Sequence, residues 1–326
     1  MRHLPVLTNS SITTFRRCLR EYQFAYVMAR RSRRTSFALI FGTIMHRALN
    51  AWWTYDSTDL EMRMIVSLRA IRSASEGVDP YEIVKAETLM AGYTARWGAE
   101  PYETIAVERN FQMPIHAGPN VWGHAHPEPS ATLSGSIDAI VRSKRSGRPI
   151  YNVEHKTTSS DISPTSDYWR IRDALDPQVS TYDAASRSMG FDIRGTIYDA
   201  IRKPEFVPLK ATPEETKKYT KPTKAEPVPR LYAGQRETDE TPEEYRQRLT
   251  EDICKRPEWY YARRTIVRLE HDNEAHAIDV VHTAEMIKFA ASRDAWPRNP
   301  GSGETTIDDG TRYVNKSSQH EELESP

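Results

Sequence analysis

The sequence predicts an α/β fold, and three observations predict it. Strand candidates of alternating apolar residues are interspersed with stretches whose apolar positions recur every three or four residues. The 326 residues, 38% hydrophobic and 28% charged, suffice for one α/β core with insertions and much solvated chain. No apolar run approaches the roughly 20 residues of a membrane-spanning helix, and the Arg-containing N-terminus lacks a signal peptide's apolar stretch, so a cytoplasmic protein without a membrane partner is expected.

Taken in order, Ser10-Ser11-Ile12-Thr13-Thr14-Phe15 supplies N-cap hydroxyls for an opening helix with Phe15, Leu19, Tyr22 and Tyr26 on one face. Arg16, Arg17 and Arg20 project from it, and Arg30, Arg31, Arg33 and Arg34 follow in a loop. Thr43 is the expected N-cap of a second helix over 44–53, with His46 in its first turn. Helical patterns run through 59–75 and 80–97, and a strand through 104–113. A Gly/Pro-rich loop over 114–131 carries His116, His124 and His126, which read as solvated side chains rather than metal ligands. Residues 132–142 and 150–157 form a hairpin, 173–189 a helix and 193–201 a strand. Residues 205–245, rich in Pro, Lys and Glu, read as a polar insertion or mobile loop. A strand over 259–269 and a helix over 274–295 close the domain at about residue 300, and residues 301–326 read as a disordered acidic tail.

Lys, Arg, Asp and Glu cancel to a net charge of zero, but nucleic acid responds to local field. Residues 1–50 hold nine Arg against Glu21 alone, whereas the last 26 residues hold six acids against Arg312 and Lys316. The basic end therefore reads as a phosphate-binding region or a solvated charged face. Cys18 and Cys254, far apart, provide neither a disulfide framework nor an all-cysteine metal site.

The hairpin carries the chemistry. Alternation puts Leu133, Gly135, Ala139 and Val141 on one face of its first strand and Ser134, Ser136, Asp138 and Ile140 on the other. In the second strand Ile150, Asn152, Glu154 and Lys156 share a face. Two carboxylates and an ammonium converging on a half-buried sheet are costly unless a cation neutralises the acids. Mg²⁺ or Mn²⁺ held by Asp138 and Glu154 would polarise a phosphodiester, with Lys156 orienting the attacking water. Glu-x-Lys alone is weak, since Glu215-Thr216-Lys217 repeats the spacing in the insertion; the apolar strand and Gly135-x-x-Asp138 distinguish the hairpin copy. A surface ion-pair ladder is the competing reading.

Five segments in order resemble the PD-(D/E)xK nuclease superfamily, specifically its RecB-like exonucleases, phage-encoded and CRISPR-associated members included. Ser11-Ile12-Thr13-Thr14-Phe15-Arg16-Arg17-Cys18 is similar to the family's opening helix and Phe41-Gly42-Thr43-Ile44-Met45-His46 to its Gly-Thr-x-x-His motif. Gly135-Ser136-Ile137-Asp138 and Val153-Glu154-His155-Lys156-Thr157 resemble the paired metal-binding motifs, and Gln178-Val179-Ser180-Thr181-Tyr182 the Gln-x-x-x-Tyr motif. The resemblance implies a restriction-endonuclease-like core, a central mixed β-sheet flanked by helices, with an N-terminal helical region. It implies His46 as a further metal ligand, the main-chain carbonyl of His155 as another, and Gln178 and Tyr182 near DNA or the active-site lysine. Many relatives hold an iron–sulfur cluster with an early cysteine and three late ones. Cys18 matches the early position, but no cysteine follows Trp296, so no cluster is expected and packing alone must fasten the C-terminal segment to the first helix.

The leading expectation is a metal-dependent DNA exonuclease of phage or mobile-element type, preparing single-stranded ends for an annealing recombinase. A structure-specific or nicking endonuclease on the same fold, and a DNA-binding module without catalysis, are the alternatives.

Overall fold

The computed structural model describes residues 5–30, 37–55, 59–99, 102–116, 129–222 and 228–298, with two short strands at 306–308 and 312–314. In chain order the main elements are β1 (Val6–Leu7), α1 (Asn9–Arg17), α2 (Phe37–Thr54), α3 (Leu60–Ser73), α4 (Pro80–Trp97), β2 (Tyr102–Ile115), β3 (Ala131–Ser143) and β4 (Ile150–Thr158). There follow α5 (Asp167–Leu175), α6 (Pro177–Ser188), β5 (Ile193–Arg202), α7 (Pro242–Lys255), β6 (Tyr261–Ile266) and α8 (Glu270–Ser292).

Six strands form one mixed sheet in the order β1-β3-β4-β5-β6, with β2 antiparallel to β3. Only β1–β3 and β4–β5 are parallel. Helices cover both faces, as in a restriction-endonuclease-like α/β fold. One core joins Phe41, Met45 and Leu49 of α2, Leu89 and Tyr93 of α4 and Tyr245 and Leu249 of α7 to Ala139, Val141, Val153 and Ile197. The other joins Ile12 and Phe15 of α1, Tyr182 and Ala185 of α6 and Val280, Ala284 and Ile287 of α8 to Leu133, Ile137 and Ile140.

The arrangement of β3 makes the site possible. β2 occupies one edge of β3 throughout, from Ile115–Ala131 to Tyr102–Ser143. The other edge is shared: β4 pairs from Arg142–Ile150 to Ala139–Val153, and β1 pairs at Thr132 and Leu133. Between them lies a fork in the sheet, and Asp138 is its first residue.

Even alternation along β3 does not survive this fork. Leu133 and Ile137 enter the same core as Ile140, whereas Ala139 and Val141 enter the opposite one, so the pleat changes phase at Asp138. On the neighbouring strand Glu108, between the pairs Val107–Ala139 and Arg109–Ile137, has a left-handed φ of 45°. That backbone conformation is rare outside glycine, and it falls where the β2–β3 ladder skips one pair without a change of register.

Other boundaries also move. The N-cap of α1 is Thr8, in a reciprocal capping box with Ser11, and the helix breaks at extended Cys18 before a short turn and a π-helical stretch, Gln23–Val27. Helix α2 starts well before Thr43, which is no cap: its hydroxyl donates to the Leu39 carbonyl at 3.0 Å, and His46 lies mid-helix. Asp176 divides the expected single helix into α5 and α6, because its side chain caps α6 and Pro177 lacks an N–H to continue α5. Helix α7 begins within the stretch expected to be irregular. Upstream, Glu240 is 2% exposed and accepts bonds from Leu209 N–H and Arg248, so part of that polar stretch is anchored. The strand expected over 259–269 is preceded by a helical turn, Pro257–Tyr260. His124, His126, Arg31, Arg33, Arg34 and most of the acidic tail lie outside the described residues.

The two ends of the domain meet. Arg16 donates to Thr283 Oγ1 and to the Asp279 carbonyl of α8 (3.1 and 2.9 Å), and the Tyr22 and Trp296 rings stack 6.1 Å apart. Hydrogen bonds therefore join packing in this clasp. Cys18 is buried and Cys254 exposed, and both are free. Among the described residues no helix is long and apolar enough to cross a membrane.

Candidate active site

Past Ala139–Val153 the hairpin strands diverge, and a side chain takes the place of a strand partner: Asp138 Oδ2 accepts the His155 N–H at 2.8 Å. Glu154 enters the same fork from β4. It is 1% exposed; Oε1 contacts the Lys156 ammonium and Oε2 has no hydrogen-bond partner. Burial first, and then the nearby charge of Asp138, push its carboxyl up to about 8, despite the opposing pull of Lys156. Burial, the largest single influence, disfavours the Lys156 ammonium, but the charge and hydrogen bond of Glu154 together with the charges of Asp138 and Asp176 outweigh it and raise its pKa.

Helix α6 supplies the next layer. Lys156 Nζ donates to Gln178 Oε1 at 2.8 Å, and Gln178 Nε2 donates to the Tyr182 hydroxyl at 2.7 Å. Their i, i+4 spacing puts both on one helix face. Burial and the charge of Glu154 drive the Tyr182 pKa upward, so it stays a neutral phenol. Behind Tyr182 lies the Phe111 ring, 6.1 Å away, packed on Gly135, where a Cβ would come within 2.8 Å of it. Gly135 is thus required by a close approach to an aromatic ring.

From α2, His46 Nδ1 lies 3.7 Å from Asp138 Oδ1. Burial lowers its pKa and favours the neutral imidazole that a metal needs. Two ligands of one small octahedral cation stand about 3 Å apart, so these atoms are within a small adjustment of sharing one. The unpartnered Oε2 of Glu154 is the stronger sign, because a buried carboxylate in that state needs a proton or a cation. Among the described residues no three acidic, His or Cys groups already stand close enough to enclose a metal. In this geometry Lys156 occupies Oε1.

The structure brings His46, Asp138, Glu154, Lys156, Gln178 and Tyr182 together. His155 contributes its N–H, while its ring turns away to Asp199, 3.0 Å from Nδ1. The second Glu-x-Lys copy is elsewhere: Lys217 pairs with Glu214 and Glu237 around a 3₁₀ turn. Of the described basic residues, Arg16 is engaged by α8, Arg17 pairs with Glu21, Arg20 donates to Gln23, and Arg30 lies over Phe24.

Sequence reasoning missed Asp176. It caps α6 through the Gln178 N–H, accepts from Arg172 and Tyr198, and adds negative charge near Lys156. The Asp-Pro pair, an N-cap followed by proline at the first helical position, was the available signal.

A family model described as the PD-(D/E)XK nuclease superfamily matches residues 6–277. No curated protein matches. Among solved structures, the crystal structure of SSO0001 is similar at 14% identity over 73% of this chain and 84% of that one, with a TM-score of 0.22.

Proposed function

The chain belongs to the PD-(D/E)XK nuclease superfamily, and from that premise we propose that it is a RecB-like DNA exonuclease using Mg²⁺ or Mn²⁺ to hydrolyse phosphodiester bonds. The observation that carries the metal dependence is the buried, half-unpartnered Glu154 facing Asp138 in the fork of the sheet. Asp138 and Glu154, with His46 and the His155 carbonyl, would hold the cation. Bound there, it would supply charge neutralisation and a more acidic water.

The chain's own groups do the rest. Asp138 is oriented by the His155 N–H. Lys156, positioned by Gln178, keeps its proton and stabilises the charge that develops on the scissile phosphate. Lys156, which can only donate, turns the Gln178 amide oxygen toward itself, and the Tyr182 hydroxyl accepts from the amide nitrogen on the other side. Basic side chains near the N-terminus would contact phosphates away from the scissile bond. Preparation of single-stranded ends for an annealing recombinase, in a phage or mobile element, is the biological role we attach to this activity.

The test uses linear duplexes labelled at the 5′ or 3′ end, with Mg²⁺, Mn²⁺ or EDTA, beside Lys156→Ala. Wild type should release labelled nucleotides only with metal, and the variant none. DNA binding without any metal-dependent product would leave a binding module. Circular duplex cut as readily as linear would point to an endonuclease.

A further inference from the structure

On the opposite side of β4 from Glu154 and Lys156, three neighbouring strands contribute one polar residue each at the same level. His155 is in register with Asp199, and Asp199 with Arg263. Asp199 is wholly buried. Arg263 grips it with two nitrogens, Nε 3.0 Å from Oδ1 and a terminal nitrogen 3.1 Å from Oδ2. Tyr93 of α4 donates to Oδ2 at 2.7 Å. The guanidinium also lies 4.5 Å from the Trp97 ring centroid.

The Asp199–Arg263 pair is the strong part of this network: both nitrogens stand at ion-pair distance, the terminal one donates to Oδ2, and aromatic packing fixes the guanidinium. Its third partner, the His155 ring at 3.0 Å, belongs to the residue between Glu154 and Lys156. Asp199 as a carboxylate only accepts, which assigns the proton to His155 Nδ1. The same residue's N–H holds Asp138. Turning the His155 peptide would therefore move the Asp138 hydrogen bond and both flanking side chains together.

We propose that Asp199, with Arg263 and Tyr93, is the positioning element that sets the orientation of His155 and through it of Asp138 and Glu154. This rests on the nuclease reading above. None of the three touches a reacting atom; they act through His155, as outer partners orient metal ligands.

The test compares Asp199→Asn and Tyr93→Phe with wild type in three measurements: Mn²⁺ affinity by calorimetry, kcat and KM for DNA at saturating metal, and Tm in EDTA. Asp199→Asn should weaken Mn²⁺ binding about tenfold and lower kcat about 10- to 100-fold, with KM within about twofold. Tyr93→Phe, which keeps both charges and removes one oxygen, should move Mn²⁺ affinity and kcat the same way by less. In a His155→Leu background, Asp199→Asn should change neither further, whereas its effect on Tm should persist. Wild-type Mn²⁺ affinity and kcat in folded Asp199→Asn would overturn the proposal, as would an effect of equal size with and without His155. If Asp199→Asn does not fold, an unchanged Tyr93→Phe overturns it. A wild type that neither binds Mn²⁺ nor cleaves would sink the nuclease reading and this inference with it; an active wild type beside unchanged variants would sink this inference alone.

Discussion

Glu87 and Glu154 are both almost wholly buried, yet the protein treats them oppositely. Glu87, on α4, is clamped by Arg72 at 2.8 Å and Arg246 at 2.6 Å. Burial works against its charge, but the hydrogen bonds from Arg246 and Arg72 outweigh that and hold its carboxyl below the ordinary range. Glu154 has one shared ammonium and an oxygen that meets nothing, and its carboxyl rises to about 8. The fold is able to satisfy a buried acid, so the unsatisfied one marks where stability gives way to chemistry.

The largest effect that sharpens this contrast is on catalysis. Glu154→Gln and Asp138→Asn should each reduce metal-dependent cleavage at least about 1,000-fold, equivalent to about 4 kcal/mol of barrier. DNA affinity should stay within about threefold, because phosphate contacts elsewhere carry binding. Equal loss of binding and cleavage would make these acids structural.

Next in size is a pH effect on the metal-free protein. Glu154 takes up its proton near pH 8 when folded and near 4.5 when unfolded. Between those values the folded state holds the extra proton, so its contribution to stability is lost as pH rises from 4.5 through 8, by a few kcal/mol. In EDTA the Tm of Glu154→Gln should therefore exceed that of wild type by a margin that widens up to pH 8. Saturating Mg²⁺ should close the margin by stabilising wild type alone. A margin independent of pH would refute the assignment.

Smaller changes belong to the satisfied groups. Glu87→Gln should lower stability by about 1–2 kcal/mol, moderated by the exposure of Arg72, with turnover per folded molecule unchanged; denaturant unfolding beside an activity assay decides it. Arg16→Ala should cost about 1 kcal/mol for its bonds to α8 and leave DNA affinity within about twofold. A larger loss of affinity in a binding titration would make Arg16 a DNA contact after all.

Much of this was legible because it is local. Alternation along β4 put Glu154 and Lys156 on one face and His155 on the other, and the i, i+4 spacing aligned Gln178 with Tyr182. What escaped depends on tertiary context. The phase change at Asp138 accompanies a left-handed, non-glycine Glu108 on another strand, which no periodicity announces. Asp199 and Arg263 look like isolated charges until three strands align them. Helix α7 is a different case, since Thr241-Pro242-Glu243-Glu244 carries a capping box and an N-terminal proline, with Tyr245, Leu249 and Ile253 buried at helical spacing. Those signals were present but masked by the polar composition upstream. At Thr43 a plausible capping residue concealed a helix whose apolar run had already begun at Phe37.

The clasp between the first and last helices bears on how the molecule comes into being. Arg16 and Thr283 are 267 positions apart, and closing so long a loop forfeits chain entropy that grows with the logarithm of its length. Contacts of that range form after local ones. The hairpin bearing both acids can pair early in synthesis, while Arg263 and α8 emerge more than a hundred residues later. A half-made chain thus holds its acids without the strand that steadies them, and cutting power arrives last.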